Sequence, residues 1–370
     1  MMRSVFEQLI LRLAPAHRKK WAQAMTAEIS AIRDNREAAA FALSCLMACC
    51  HFRLQFSIST GTKGSIIVQD RFVVLTFFAG VVAGLIGLAY LHVSTAPLMM
   101  MFVNGAALGI GILLAVSLRL STRLTDPMVT VAALIGAVIL AGTAIFGYPI
   151  EDARRWLLIG PFFIQTSLMF LPLIAISFAR TQNFRTTLAV VLAAFAMAAQ
   201  PDRAMAAMLF VAVALIGLMR PGKLTFIAAI SCATAFAATL LLPDRLPAVP
   251  FVDHILWTAF AIDLRVGLAL WTGCLLLVCP ILLIPKADRS VAQYVFASCW
   301  LTLFAAAAMG AYPTPLVGYG ASAIIGYFLG LIFVQPVPRA GLVSDPSRTS
   351  LTDTDEAPPP LRANAPSLAV

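Results

Sequence analysis

What this chain can fold into is constrained first by its apolar runs. Between Arg71 and Val334, stretches of roughly twenty residues with few charges follow one another, the length an α-helix needs to cross the hydrocarbon core of a bilayer. In that core every backbone N–H and C=O must be paired inside its own element, so such runs become helices. The composition agrees. Of the 370 residues 61% are hydrophobic and only 12% are charged, about half the charge of a soluble domain. The expected fold is an all-α, polytopic membrane protein with about ten transmembrane helices. The net charge of +9 is then a matter of topology rather than of nucleic-acid binding, and no nucleic-acid partner is expected.

The spans fall at about 71–93, 97–118, 128–148, 156–179, 185–200, 203–220, 224–242, 264–285, 291–311 and 315–334. The fifth and sixth are separated only by QPDR at 200–203, which could also be a kink in one longer helix. The basic residues choose between these readings. With ten spans and a cytosolic N-terminus, inside segments carry Arg119, Arg123, Arg180, Arg185, Arg220, Lys223, Lys286 and Arg289. Outside segments then carry Arg154, Arg155, Arg203, Arg245 and Arg265. Nine spans would move Arg220, Lys223, Lys286 and Arg289 outside, against the positive-inside bias. The ten-span reading puts both termini on the cytosolic side of the membrane.

Three regions follow. Residues 1–70 form a cytosolic amphipathic helical preface and linker, 71–338 the transmembrane domain, and 339–370 a Pro-, Ser- and Asp-rich tail that cannot bury a core and is read as disordered. The preface lacks the ordered n-region, h-region and cleavage site of a signal peptide. Ser4 with Glu7, and Asp34 with Glu37, have capping-box spacing. Trp21, Met25, Ile29 and Ile32 share one side of a helix from about residue 16 to 32, next to the basic run His17–Lys20. That pairing suits an anionic membrane surface, or simply a solvated helix face. SISTGTKGS at 57–65 is a polar linker. The seven cysteines lie mostly in apolar helical sequence and form no CxxC pair; they read as buried thiols, with no metal site and no disulfide framework. No Walker loop, HExxH, GxSxG or nucleotide fingerprint is present.

The polar residues that remain gather in the loops that ten spans place outside. These read GYPIEDARRWLLIGPFFIQTS, AAQPDRA, LPAVPFVDHILWTAFAIDLR and AYPTPLVGYGAS. Taken singly, each position has an ordinary reading. Asp253 could cap a helix starting at His254. Arg154 and Arg155 could anchor a helix at the interface. Gln200 and Asp202 could fix a break between helices, and Tyr319, Gly320 and Ser322 could allow the last helix to pack tightly.

Together these stretches resemble a known family. ARRWLLIGPFFIQTS (153–167) is similar to the ARRWI…LG…QPSE motif of the SEDS family, the shape, elongation, division and sporulation proteins. QPD (200–202) resembles that family's QPD at the start of its sixth helix, and PTPLVGYGASAI (313–324) its PLPFVSYGGSS. LPAVPFVDHI, followed by Gly267 fourteen residues after Asp253, resembles its LP…HTDFIF…G. The order of the four motifs, over about 150–330, makes the likeness specific.

The resemblance implies a peptidoglycan glycosyltransferase that polymerises lipid II at the outer membrane face, commonly beside a transpeptidase of the penicillin-binding type. Asp253 stands where the family has its essential aspartate. A sugar hydroxyl is a poor nucleophile, so a carboxylate within reach must take its proton. Arg154 and Arg155 are candidates for the diphosphate of the leaving group, and Gln165, Gln200, Asp202, Tyr319 and Ser322 for the rest of the substrate site. A divalent cation is left open by the same resemblance. The chain also departs from the family. QTSL at 165–168 replaces QPSE, Phe251 stands where the family has histidine, the region between the seventh and eighth helices is short, and the preface is additional. Those departures keep open action on another polyprenyl-linked sugar and a non-catalytic scaffold or lipid-linked-sugar binder. A separate rival is a polyprenyl-lipid transporter. That role would call for ionisable residues in mid-span, and the charges here sit at span ends.

Overall fold

The computed structural model describes residues 18–32, 64–121, 124–151, 153–242 and 246–334, with scattered positions between 8 and 48. In the preface, α1 (Lys19–Ala31) turns Ala22 and Ile29 inward. They join Ile10, Ala14, Ala42 and Cys45 in a small apolar cluster on which Trp21, Met25 and Phe41 pack. The Ser4–Glu7 box, the linker up to residue 63 and the tail lie outside the described residues.

Ten apolar helices follow: α2 (Gly64–Val93), α3 (Leu98–Ser121), α4 (Asp126–Phe146), α5 (Thr166–Thr181), α6 (Phe184–Ala199), α7 (Arg203–Met219), α8 (Lys223–Leu241), then, after a short α9 (Ile255–Thr258), α10 (Leu264–Val278), α11 (Val291–Met309) and α12 (Ala321–Phe333). Six of the ten are long and apolar enough to cross a membrane; α5, α6, α7 and α12 are shorter apolar helices of 13 to 17 residues. Local chemistry sets several starts. Asn183 and Thr186 form a reciprocal capping box for α6, Ser290 and Gln293 another for α11, and Asp202 accepts from Met205 N at the start of α7. Each satisfies donors that a helix start leaves unpaired.

Neighbouring helices alternate in direction, and hydrogen bonds tie each end of the bundle. At one end Arg180 donates to Phe333 O (2.8 Å) and Leu124 O (3.1 Å) and lies 3.6 Å from Asp126. Gln182 reaches Arg220 O there, and Arg220 reaches Ala179 O. At the other end Arg155 meets the Gln200–Pro201 turn, and Gln165 meets Asp202 and Tyr312. Thus α6 leaves the Arg180 end, reaches the far end at Gln200 and returns as α7 to Arg220. QPDR is a complete reversal between two helices, not a kink in one.

The core is closed by aromatics of α11 and α12. Trp300, Tyr327, Phe296 and Phe328 are fully buried. Tyr327 lies 5.0 Å from Trp300 and 5.1 Å from Phe296, ring to ring, and donates to Thr76 O at 3.0 Å. Gly80 makes room for it, since a Cβ there would sit 2.5 Å from the Tyr327 ring. The cysteines in the described helices are free thiols, four buried and Cys279 half-buried.

Three boundaries differ from the sequence reading. The span expected from 156 begins as an antiparallel sheet, order β1-β2-β3, made of β1 (Tyr148–Ile150), β2 (Ala153–Ile159) and β3 (Phe162–Gln165). An apolar run reads alike as strand or helix, and the deciding signal is Gly160–Pro161. Gly160 takes φ +59°, and a proline just after it cannot continue a helix. The last helix starts at Ala321 rather than near 315, leaving 312–320 as a loop. The span expected over 264–285 ends as α10 at Val278, where Cys279–Ile281 tightens into a 3₁₀ turn around Pro280.

The alternation makes a direct topological prediction. Cysteines introduced at Arg220 and Asp253 should react with an impermeant maleimide from opposite sides of the membrane. Reaction of both from one side would contradict it.

Candidate functional site

The four loops expected on one face do meet, at the end of the bundle opposite Arg180. Their centre is the carboxylate of Asp202, fully buried at the start of α7. Its Oδ2 accepts from Gln165 Nε2 and Ser167 Oγ, both at 3.2 Å; its Oδ1 accepts from Tyr312 Oη and Met205 N, both at 3.3 Å. A carboxylate offers about four acceptor positions, and all four are used. The helix start adds a favourable dipole for its negative charge. Gln165 also reaches Tyr312 Oη at 3.2 Å, and its backbone N donates to Ser322 Oγ at 3.0 Å. One hydrogen-bonded group therefore joins β3, α5, α7, the 312–320 loop and α12.

Adjacent strand residues point to opposite faces, and the two arginines of β2 divide accordingly. Arg155 is buried and bonds the carbonyls of Gln200 and Pro201. Arg154 is exposed and donates to Ile145 O at the end of α4. Gln200 is fully buried and its Nε2 donates to Leu140 O at 2.8 Å, tying the helix reversal to α4. Arg155, Gln165, Gln200, Asp202 and Ser322 are thus one interior assembly, and Arg154 stands outside it.

Asp253 belongs to a second layer. Its Oδ2 accepts from Val249 N at 2.8 Å, closing the turn that carries it. The helix that follows has His254, at φ +59°, in the cap position with no side-chain cap bond. Asp253 therefore does not cap that helix, and the carboxylate holds its own loop in shape. That loop is laid on the last one. Tyr319 N donates to Phe251 O at 2.8 Å, and Thr314 N to Val252 O at 3.2 Å. Only Pro313 separates Thr314 from Tyr312, so the Asp253 turn and the Asp202 assembly share one short segment. Gly267 lets α10 approach the 3₁₀ turn Ala259–Ala261, because a Cβ there would collide with the Phe260 ring.

Three contributors went unnoticed in the sequence. Tyr312 and Ser167 fall inside quoted motifs but only the fold shows them converging on Asp202. Asn104 is a lone amide in the apolar run of α3. Buried, it donates to Gly318 O (2.9 Å) and accepts from Gly320 N (3.1 Å), gripping the backbone on both sides of Tyr319. A polar residue with no polar neighbours in a span was the available signal.

No family model and no curated protein matches this sequence. Solved structures do match its fold. The rod shape determining protein RodA of Thermus thermophilus superimposes with a TM-score of 0.51 at 18% identity, over 70% of this chain and 94% of that one. The fold is SEDS-like. A mutant of the same RodA aligns at 0.49 and 18%, over 70% and 95% of the chains. A structure described as the structural coordination of polymerization and crosslinking by a peptidoglycan synthase complex gives 0.49 and 18%, over 71% and 95%.

The Tyr312 hydroxyl is pushed well above its usual value, by burial first and by the Asp202 charge next, with Arg155 and the Gln165 bond pulling the other way. The folded chain keeps this proton where the unfolded chain releases it. Its share of stability is complete below about pH 10 and declines as pH rises beyond that. Tyr312→Phe removes a donor to Asp202 and an acceptor for Gln165, and should cost about 1–3 kcal/mol. Thermal unfolding in detergent at neutral pH would read the loss, and the variant's deficit should shrink above pH 10. An unchanged melting temperature would show that the assembly does not need the hydroxyl.

Proposed function

We propose that this protein is a multi-pass inner-membrane protein of bacterial cell-envelope synthesis that transfers sugar from a polyprenyl diphosphate donor, with lipid II as the first candidate. The observation that carries the reading is the placement of Asp253, on a turn closed by its own carboxylate and clamped to the 312–320 loop where four polar loops meet. The likeness of the four motifs to SEDS sequences supports the chemistry. The excess of Arg119, Arg123, Arg180, Arg185, Arg220, Lys223, Lys286 and Arg289 over Arg154, Arg155, Arg203, Arg245 and Arg265 supports cytosolic termini and an external site.

In the proposed reaction the acceptor hydroxyl oxygen bonds to the anomeric carbon of the donor. The bond from that carbon to the diphosphate oxygen breaks, and the diphosphate leaves with the electron pair. Asp253 takes the hydroxyl proton. Arg154 is the exposed cation on the site's strand and is suited to the diphosphate; Arg155 serves by holding the Gln200–Pro201 turn. A transpeptidase of the penicillin-binding type is the partner that the motif resemblance suggests.

A second reading has its own observation. Where the motif family has a glutamate this chain has Leu168, buried in the core with its carbonyl against Gly326. A site lacking that carboxylate also suits a scaffold that binds a lipid-linked sugar without turning it over. Polymerisation of lipid II by the purified protein, with a divalent cation supplied, separates the two. The wild type should form glycan, and Asp253→Asn should lose about 10²–10⁴-fold in rate while unfolding at a similar temperature. Full activity in that folded variant would remove Asp253 from catalysis. Binding without transfer by the wild type would favour the scaffold.

A further inference from the structure

The sheet that replaced the start of the fourth span is polar at one end and apolar at the other. Arg155 and Gln165 lie near its base, inside the Asp202 assembly, and the turn between β1 and β2 carries the exposed Glu151. Away from these, from Trp156 to Ile164, the β2–β3 hairpin has no charged residue. Its tip pairs Ile159 with Phe162 and Leu158 with Phe163. These four side chains are 45–58% exposed, and they point to both faces of the hairpin. Gly160 and Pro161 at the turn are exposed as well. Along β2 the distance from the charged turn to the apolar tip is about 20 Å.

An apolar tip bare on both faces needs a non-aqueous surrounding. The same chain supplies continuity with one. The sheet leaves α4 through Gly147, directly after Ile145 and Phe146, which are 59% and 80% exposed, and below them Val138 and Ile135 are exposed on the same helix. On a membrane-spanning helix that surface is the lipid-facing one. Tyr148, the first residue of β1, packs its ring against Phe163 at 5.5 Å, carrying the apolar surface from the helix end onto the hairpin. Arg154, on the face opposite Arg155, folds back to Ile145 O and keeps its charge off the tip.

We infer that the tip of the β2–β3 hairpin, Leu158 to Phe163, is a membrane-interface anchor that dips into the lipid leaflet while the Glu151 turn stays in water. One end of β2 is then fixed in lipid and the other in the buried assembly, so the hairpin sets the depth of the site relative to the leaflet.

Nitroxide accessibility on the full chain tests this. Ile159→Cys, Phe162→Cys and, as the aqueous reference, Glu151→Cys are spin-labelled and reconstituted in phosphatidylethanolamine–phosphatidylglycerol vesicles, with the signal of labelled wild type subtracted. Collisions with oxygen should exceed those with a water-soluble nickel chelate at 159 and 162, and the order should reverse at 151. Nickel-preferring labels at 159 and 162, like the reference, would place the tip in water and overturn the anchor. Exclusion of both reagents at 159 and 162 would show a protein surface covering the tip, and would equally overturn it.

Discussion

The buried carboxylate of Asp202 is the interaction on which the rest of this site depends. A charge removed from water is tolerated only when it is fully hydrogen-bonded, and here the four donors come from Gln165, Ser167, Tyr312 and Met205. They lie on segments far apart in sequence. Meeting that single electrostatic demand brings β3, α5, α7 and the 312–320 loop to one point at the end of the bundle. Nothing in the apolar packing of the helices requires that convergence, because helices in lipid gain little from burying one hydrophobic face rather than another.

A second tier rests on the first. The 312–320 loop is held from three sides: Tyr312 by Asp202, Gly318 and Gly320 by Asn104, and Thr314 and Tyr319 by the backbone of residues 251 and 252. The turn bearing Asp253 therefore inherits its position from Asp202 through one short segment. Asp253 itself is half-buried on that turn, one layer away from the fully buried Asp202.

Much of this could be read in advance from the residues. Spans of roughly twenty apolar residues fix the helical class because lipid leaves the backbone no other partner. The QPDR reversal was recovered from the distribution of arginine and lysine, a signal independent of hydropathy. The hairpin was not recoverable in the same way. WLLIGPFFIQ is as apolar as a span, and only the Gly160–Pro161 turn marks it as two strands. Nor did the sequence distinguish Arg154 from Arg155, since their roles divide by the pleat of a strand that was read as a helix start. Tyr312 and Asn104 were hidden for another reason: their partners are long-range, and local pattern carries no trace of such a pairing.

The central claim is that Asp202 organises the loops that carry Asp253. Hydrogen–deuterium exchange of the full-length protein in lipid nanodiscs, wild type against Asp202→Ala, tests it most directly. Exchange should rise at 249–253 and 312–320 while the amides of α2, α10 and α11 keep their protection. Unchanged exchange in both loops would mean that their positions are set by something other than the buried carboxylate, and would contradict the account.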